Sequence, residues 1–319
     1  MKNSLKVGLI GLGKMGKNHL RVLSMLKSVE LKFIYDVDIE NLNKLSKQYD
    51  IKPSEKLEED LKSVDAVVIA TPTSTHFDYI KLCAEYVKNI FVEKPLTDSL
   101  DTTIEVEKLV KEKNLNIQIG FIERFNPAVV ELKKVLDYHS RNIANIDFIR
   151  TNKISSRITD VDVIIDLMIH DIDLALYLNG SYNKITAYGF TDNGMIVFAR
   201  ATIEHKNGRF SNILASRITE KRIRQINVTA NNMYIDCNLL RKEILINKQS
   251  IKSGYENVSL ISVEETINVP PQEALLSELV SFVEFATNEK LNTSHVPKIT
   301  AGKESMKVVD AIQVQILGE

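Results

Sequence analysis

The chain has 319 residues, 44% of them apolar and 26% charged, with a formal net charge of −1. That balance suits a globular protein of two domains and offers no basic surface for a nucleic acid or an anionic membrane. No apolar stretch approaches the ~18 residues that a spanning helix needs, the N-terminus runs straight into an apolar strand with no signal-peptide pattern, and Cys83 and Cys237 have neither metal nor redox spacing, so a cytoplasmic protein with two buried thiols and no metal is expected.

Leu5 to Ile10 is an apolar run that passes into Gly11-x-Gly13-x-x-Gly16. A helical pattern follows, with Leu20, Leu23 and Leu26 on one face, and a second apolar run, Leu31 to Tyr35, ends in Asp36. Strand, glycine turn, helix, strand and terminal acid in this order predict a dinucleotide-binding unit. Gly11 permits the tight turn, Gly13 lets a pyrophosphate approach the backbone, and Gly16 lets the helix pack against the strand. Leu12, Lys14 and Met15 complete the loop, whose helix N–H groups suit an anion. A carboxylate at Asp36 accepts from a ribose 2′-OH and repels a 2′-phosphate, so NAD is favoured over NADP. Asp38 is placed to cap the next helix, Ile39 to Tyr49.

Strands are then expected at Asp65–Ala70, Asn89–Glu93 and Asn116–Gly120. Helices are expected between them, at Thr75–Val87 and from a cap at Asp98 or Ser99 to Asn114. This alternation predicts a doubly wound parallel sheet over residues 1–122. Its strand ends bring Gly11–Gly16, Asp36, Ala70, Thr71, Pro72, His76, Glu93, Lys94 and the segment Gly120–Arg124 toward one crevice.

Residues 123–319 have a different rhythm. Strands are read at about 145–155, 184–192, 195–205, 209–216, 224–230, 234–237, 243–247 and 258–269, with few helices between, so a large, open, mainly antiparallel sheet is expected. Asn207-Gly208 reads as a hairpin turn with both residues at positive φ. One face of the sheet is expected to pack on helices and the other on solvent or a second subunit. Helices at 272–288 and 300–317 end the chain, the last a candidate to pack back on the first domain.

Two places could do chemistry. Lys94 stands where the nicotinamide end of a dinucleotide should lie, and an ammonium there can stabilise an alkoxide; on position alone a surface lysine is equally consistent. Asp162 to Tyr177 reads as an apolar helix on which Asp166, His170 and Asp173 share a face by i, i+4 and i, i+3 spacing. Asp166 could orient His170 as a base, or the two could form a structural pair or act as metal ligands, the last disfavoured because no other His or Cys sits in a matching segment. His19, His139, His205 and His295 read as surface or packing residues. Arg150, Lys153, Arg157, Arg217, Lys221, Arg222 and Arg224 read as a solvated face, or as a grip for a diphosphate or carboxylate.

The glycine turn, Asp36, residues 70–76, Glu93-Lys94-Pro95, residues 120–127 and residues 166–173 together resemble the glucose-fructose oxidoreductase / inositol dehydrogenase / MocA family from the first strand to the last helix. The resemblance implies a Rossmann domain followed by an open-sheet domain that forms a homodimer or homotetramer. It also implies NAD(P)-dependent oxidation or reduction of a sugar or cyclitol carbinol. Lys94 carries over as the catalytic lysine, often followed by a cis bond, and Asp166 and His170 as its acid–base partners. Residues 120–127, with Arg124 and Asn126, carry over as a segment near nicotinamide and substrate. Residues 157–173, Arg157 included, are most similar to the branch of UDP-N-acetylglucosamine 3-dehydrogenases, whose keto product a separate aminotransferase aminates. A dehydrogenase or reductase of a free polyol, inositol or ketosugar is the alternative, and a catalytically silent NAD(H)-binding regulator a remote one.

Overall fold

The computed structural model describes residues 4–139, 143–153, 161–253, 258–287 and 294–318, with only the backbone at 251–253 and 258–260. Two compact units are present. One is Met1–Ile122 with Ala274–Met306, the other Glu123–Glu273 with Lys307–Glu319.

The first unit is built on β1 (Leu5–Ile10), β2 (Val29–Tyr35), β3 (Ala66–Ile69), β4 (Asn89–Glu93) and β5 (Asn116–Gly120). They pair in the order β2-β1-β3-β4-β5, and every pair is parallel. The order reverses between β1 and β3, the switch point at which such sheets open a crevice. All four residues of β3 are buried, as a strand covered on both faces requires.

The helices α1 (Lys14–Met25), α2 (Ile39–Tyr49), α3 (Leu57–Leu61), α4 (His76–Cys83) and α5 (Leu100–Lys113) connect these strands. Asp38 caps α2 by accepting from the Asn41 N–H at 3.0 Å. Of the two candidate caps for α5, Ser99 is the one used. Gly16, His19, Leu20 and Leu23 form the buried face of α1 at i, i+3, i+4, i+7 spacing. Each leucine so buried contributes about 1.5–3 kcal/mol. Cys83 is buried here, and Cys237 in the second unit; both are free thiols. The helix α8 (Ala274–Thr287) packs Leu275, Leu279, Phe282 and Val283 into the core of the first unit.

The second unit holds β6 (Ile143–Thr151), β7 (Tyr182–Asp192), β8 (Met195–His205), β9 (Phe210–Ser216), β10 (Ile223–Ala230), β11 (Met233–Asn238), β12 (Glu243–Ser253) and β13 (Val258–Ile267). They form one sheet in the order β13-β12-β11-β10-β6-β9-β8-β7. Only β6–β9 is parallel. The fold is thus the expected pair of a parallel Rossmann sheet and a large, mainly antiparallel sheet. Its helices are α6 (Pro127–Tyr138), which the sequence reading lacked, α7 (Ile169–Asn179), and the end of α9 (Ile299–Leu317). In α9, Lys303 pairs with Glu107 of the first unit at 2.8 Å. Further along, Gln313 donates to Asp162 Oδ2 at 2.6 Å in the second.

Two expectations need correcting. Only Gly208, at φ 81°, takes positive φ in the 205–209 turn; the Gly208 N–H bonds His205 O at 3.0 Å, which is a tight turn closed by a glycine, not a two-residue loop. The loop with both residues at positive φ is Asn193-Gly194, at 49° and 77°, joining β7 to β8. The 162–177 helix is also not uniform. Ile164–Met168 is a π turn, and regular helix begins only at Ile169.

Candidate functional site

At the carboxyl ends of β1, β2 and β3 lies a cleft of about 490 Å³ lined by Gly11, Gly13, Lys14, Met15, Asp36, Ala70, Thr71 and Pro72, all singled out by the sequence. Tyr35, Val37, Thr75 and Tyr79 also line it and were missed. The signal for Tyr79 was its place in the first turn of a helix that starts at a strand end. Its ring stands edge-on to Tyr35 at 6.3 Å. Burial and the Tyr35 hydroxyl push its own hydroxyl up to about 12.

The glycines fit the group that the motif implies. Gly11 sits at φ 93°, where only glycine is unstrained. A Cβ on Gly16 would lie 2.0 Å from Gly11 O, while one on Gly13 would meet nothing within 4 Å. The first turn of α1 has no side-chain cap, leaving its N–H groups to an anion. The Asp36 carboxylate is held by backbone N–H groups, that of Leu12 on Oδ2 at 2.5 Å and that of Asp38 on Oδ1 at 2.8 Å. Leu12 itself is turned into the core, so it shapes the loop and does not line the cleft.

Next to β3, the end of β4 carries Glu93-Lys94-Pro95. Phe91 to Thr97 is a buried run in which Lys94 alone is partly exposed. The Lys94–Pro95 bond is cis, as the resemblance implied. Glu93 and His76, expected at the cofactor, are both buried and do not line the cleft. The Glu93 carboxylate accepts the Lys94 N–H at 3.2 Å and lies 2.7 Å from His19 Nε2. His76 bridges two strand-end loops, its Nε2 3.0 Å from Thr71 O and its Nδ1 2.9 Å from Pro95 O. Burial holds its pKa below 6.5, against the pull of those carbonyls.

In the second unit, Asp162 Oδ1 accepts the N–H groups of Ile164 and Ile165, each at 2.9 Å, and so starts the π turn. Asp166 lies in that turn, and its Oδ2 is 3.1 Å from Arg217 Nη2. His170 follows in the first turn of α7. Both are partly exposed, whereas Asp173, expected on their face, is buried. The Asp173 carboxylate takes both prongs of Arg124, at 2.6 and 2.7 Å. Single π turns in helices recur at functional sites.

Several expected ligand contacts turn out to be committed elsewhere. Arg124 is engaged by Asp173 and lies over the Tyr177 ring at 4.6 Å. Asn126 caps α6 through the Ala128 N–H and donates to Glu123. Arg150, read as part of a possible diphosphate grip, is fully buried between Asp171 and Glu123, with contacts of 2.8 Å. Arg217 is buried against the carbonyls of Val161 and Asp162. Lys153 pairs with Glu220. Lys221 and Arg222 remain exposed, and Arg224 is partly so. Arg157 lies outside the described residues. Among the described residues no helix is long and apolar enough to cross a membrane.

The family model described as an oxidoreductase family with an NAD-binding Rossmann fold matches residues 5–121. The chain is similar to the UDP-N-acetylglucosamine 3-dehydrogenase of Acidithiobacillus ferrooxidans, at 26% identity over 322 residues, covering 99% of this chain and 97% of that one. It is 30% identical over 244 residues to the scyllo-inositol 2-dehydrogenase (NAD(+)) of Bacillus subtilis, covering 68% of each. The solved structure of the Acidithiobacillus enzyme has the same fold, with a TM-score of 0.87 at 23% identity over 99% of this chain and 98% of that one. The chain belongs to the glucose-fructose oxidoreductase / inositol dehydrogenase / MocA family and is an NAD-binding oxidoreductase.

Proposed function

We propose that the protein is an NAD-dependent dehydrogenase that oxidises a secondary hydroxyl of a sugar to a ketone. The proposed substrate is a UDP-N-acetyl-hexosamine such as UDP-N-acetylglucosamine, oxidised at its 3-OH. The observation that carries the sugar-dehydrogenase reading is Lys94, the one partly exposed residue of a buried run beside the strand whose end lines the NAD cleft. NAD, when bound, accepts the hydride from the carbinol carbon. Gly13 and the uncapped start of α1 receive its pyrophosphate, and Asp36 its adenine ribose. Lys94 donates a hydrogen bond to the reacting oxygen and stabilises its developing charge. His170, which the resemblance pairs with Asp166, takes the hydroxyl proton. Arg217 holds the Asp166 carboxylate in the turn that precedes His170.

The choice of substrate rests on the near-complete overlap with the Acidithiobacillus relative. A free polyol or inositol is the second reading. It is favoured by the burial of Arg150 and Arg217 in ion pairs, which removes two cations that a UDP diphosphate would use. Association through the open sheet is part of the proposal: Tyr188 and Phe190, alternate residues on one face of β7, are 74% and 58% exposed. A separate aminotransferase would be the partner that consumes a 3-keto product.

The test is to incubate the purified protein with NAD+ and either UDP-N-acetylglucosamine or scyllo-inositol, with and without 2-oxoglutarate as a hydride sink, and to weigh the products. Loss of two hydrogens from the sugar nucleotide supports the first reading. Oxidation of the cyclitol alone supports the second.

A further inference from the structure

His19 has no evident task on a helix that begins at the NAD cleft, yet it is fully buried. Its Nε2 lies 2.7 Å from Glu93 Oε1, and its ring stands edge-on to Phe91 at 5.2 Å. Its Nδ1 is buried and meets no hydrogen-bonding group. The proton therefore belongs on Nε2, where it is donated to the carboxylate. A buried ring nitrogen left without a partner is destabilising. A leucine would fill the same space without that cost.

What the imidazole holds is next to the reacting group. The second oxygen of Glu93 accepts the backbone N–H of Lys94 at 3.2 Å. The carboxylate is also confined from β5, since a Cβ on Gly120 would lie 2.8 Å from Oε2 and 3.1 Å from the Glu93 Cα. His19 on α1, Glu93 on β4 and Gly120 on β5 thus leave the carboxylate one place, and in that place it anchors the lysine backbone.

We propose that His19 is a positioning residue: through Glu93 it fixes the backbone of Lys94 and so aims the ammonium. The inference rests on Lys94 being the group that meets the substrate oxygen. It differs from a simple helix-to-strand staple in that its loss changes Lys94 itself.

The full chain with NAD bound is compared as wild type, His19→Leu, His19→Gln and Lys94→Ala. Two readouts are taken. One is kcat and KM for whichever sugar the wild type oxidises. The other is the rate at which acetic anhydride acetylates Lys94 relative to exposed Lys108, read by peptide mass spectrometry, which needs no substrate. His19→Leu is expected to lower kcat by about 100-fold, as a small misplacement can, with KM and NAD affinity unchanged and the relative acetylation of Lys94 altered several-fold. His19→Gln, which keeps an N–H donor, restores most of both. Wild-type acetylation of Lys94 in a folded, NAD-binding His19→Leu protein overturns the inference, as does a His19→Gln protein no better than His19→Leu. If His19→Leu does not fold, Gly120→Ala displaces the same carboxylate from the other side and is expected to alter Lys94 acetylation likewise; an unaltered rate there also overturns it. Turnover by Lys94→Ala would instead remove the assignment of Lys94, and the acetylation rates would still report whether His19 holds it.

Discussion

Arg124 and Asp173 form a buried two-pronged ion pair, Nε to Oδ2 at 2.7 Å and Nη2 to Oδ1 at 2.6 Å. Burial pushes the aspartate pKa up, and the guanidinium works against that. Removing one partner leaves the other charged and dry, so Arg124→Ala is expected to cost about 3–5 kcal/mol of stability. Urea unfolding measures this, and calorimetry is expected to find NAD affinity unchanged. A stable variant with weakened NAD binding would show that Arg124 serves the ligand.

Asp36 is expected to select NAD. Its carboxylate is fixed by the Leu12 and Asp38 N–H groups, which orients it for a ribose hydroxyl. Hydrogen bonds to charged groups are worth about 1.5–3 kcal/mol, so Asp36→Ala should weaken NAD by about 10–100-fold. It should also narrow the gap to NADP, because the repulsion of a 2′-phosphate goes with the charge. Equal titrations of both nucleotides before and after the change check this.

Gly13 and Gly16 should respond differently to the same methyl group. A Cβ on Gly16 meets Gly11 O at 2.0 Å, whereas one on Gly13 meets nothing within 4 Å. Gly16→Ala is expected to lose about 1–3 kcal/mol or more of stability, the cost of overpacking. Gly13→Ala is expected to melt like the wild type and to bind NAD poorly, since the methyl group stands where the pyrophosphate approaches. Thermal melts with and without NAD separate the two.

His205 gives a pH dependence. It is buried, with Nδ1 2.8 Å from Gly180 O and Nε2 2.9 Å from Ser211 Oγ, partners that suit the neutral ring. Burial, with Arg209 adding to it, holds its pKa below 6.5 despite the pull of the carbonyl. The unfolded chain therefore takes up the proton first as pH falls. The His205 contribution is complete above 6.5 and is lost as pH drops through the lower folded value. The urea midpoint should fall between about pH 7.5 and about pH 5.5, and His205→Gln should fall less. An equal fall in both would assign the acid sensitivity to other groups.

Much of the fold follows from local spacing. The glycine turn, the apolar strands and the caps at Asp38 and Ser99 act within a few residues of their own sequence, so each was legible there. The NAD cleft followed because its lining residues sit at strand ends. The charged residues were not legible in this way. Arg150 read as a surface cation because its partners, Glu123 and Asp171, lie 27 and 21 residues away. Arg217 meets Asp166 across a gap in the chain that is wider still. The helix α6 was missed because Asn126 and Pro127 were read only as part of a ligand segment, although an asparagine before a proline is a helix start. The π turn at Ile164–Met168 leaves no mark in the apolar periodicity. His19 could have been placed: its spacing from Gly16, Leu20 and Leu23 puts it on the buried face.

The proposed chemistry depends most directly on Lys94. The decisive measurement is product formation by Lys94→Ala with NAD+ and the sugar that the wild type oxidises, alongside NAD binding by calorimetry. Unchanged NAD affinity with no ketone formed is the expected result. A Lys94→Ala protein that forms the ketone at the wild-type rate would contradict the assignment of the reacting group.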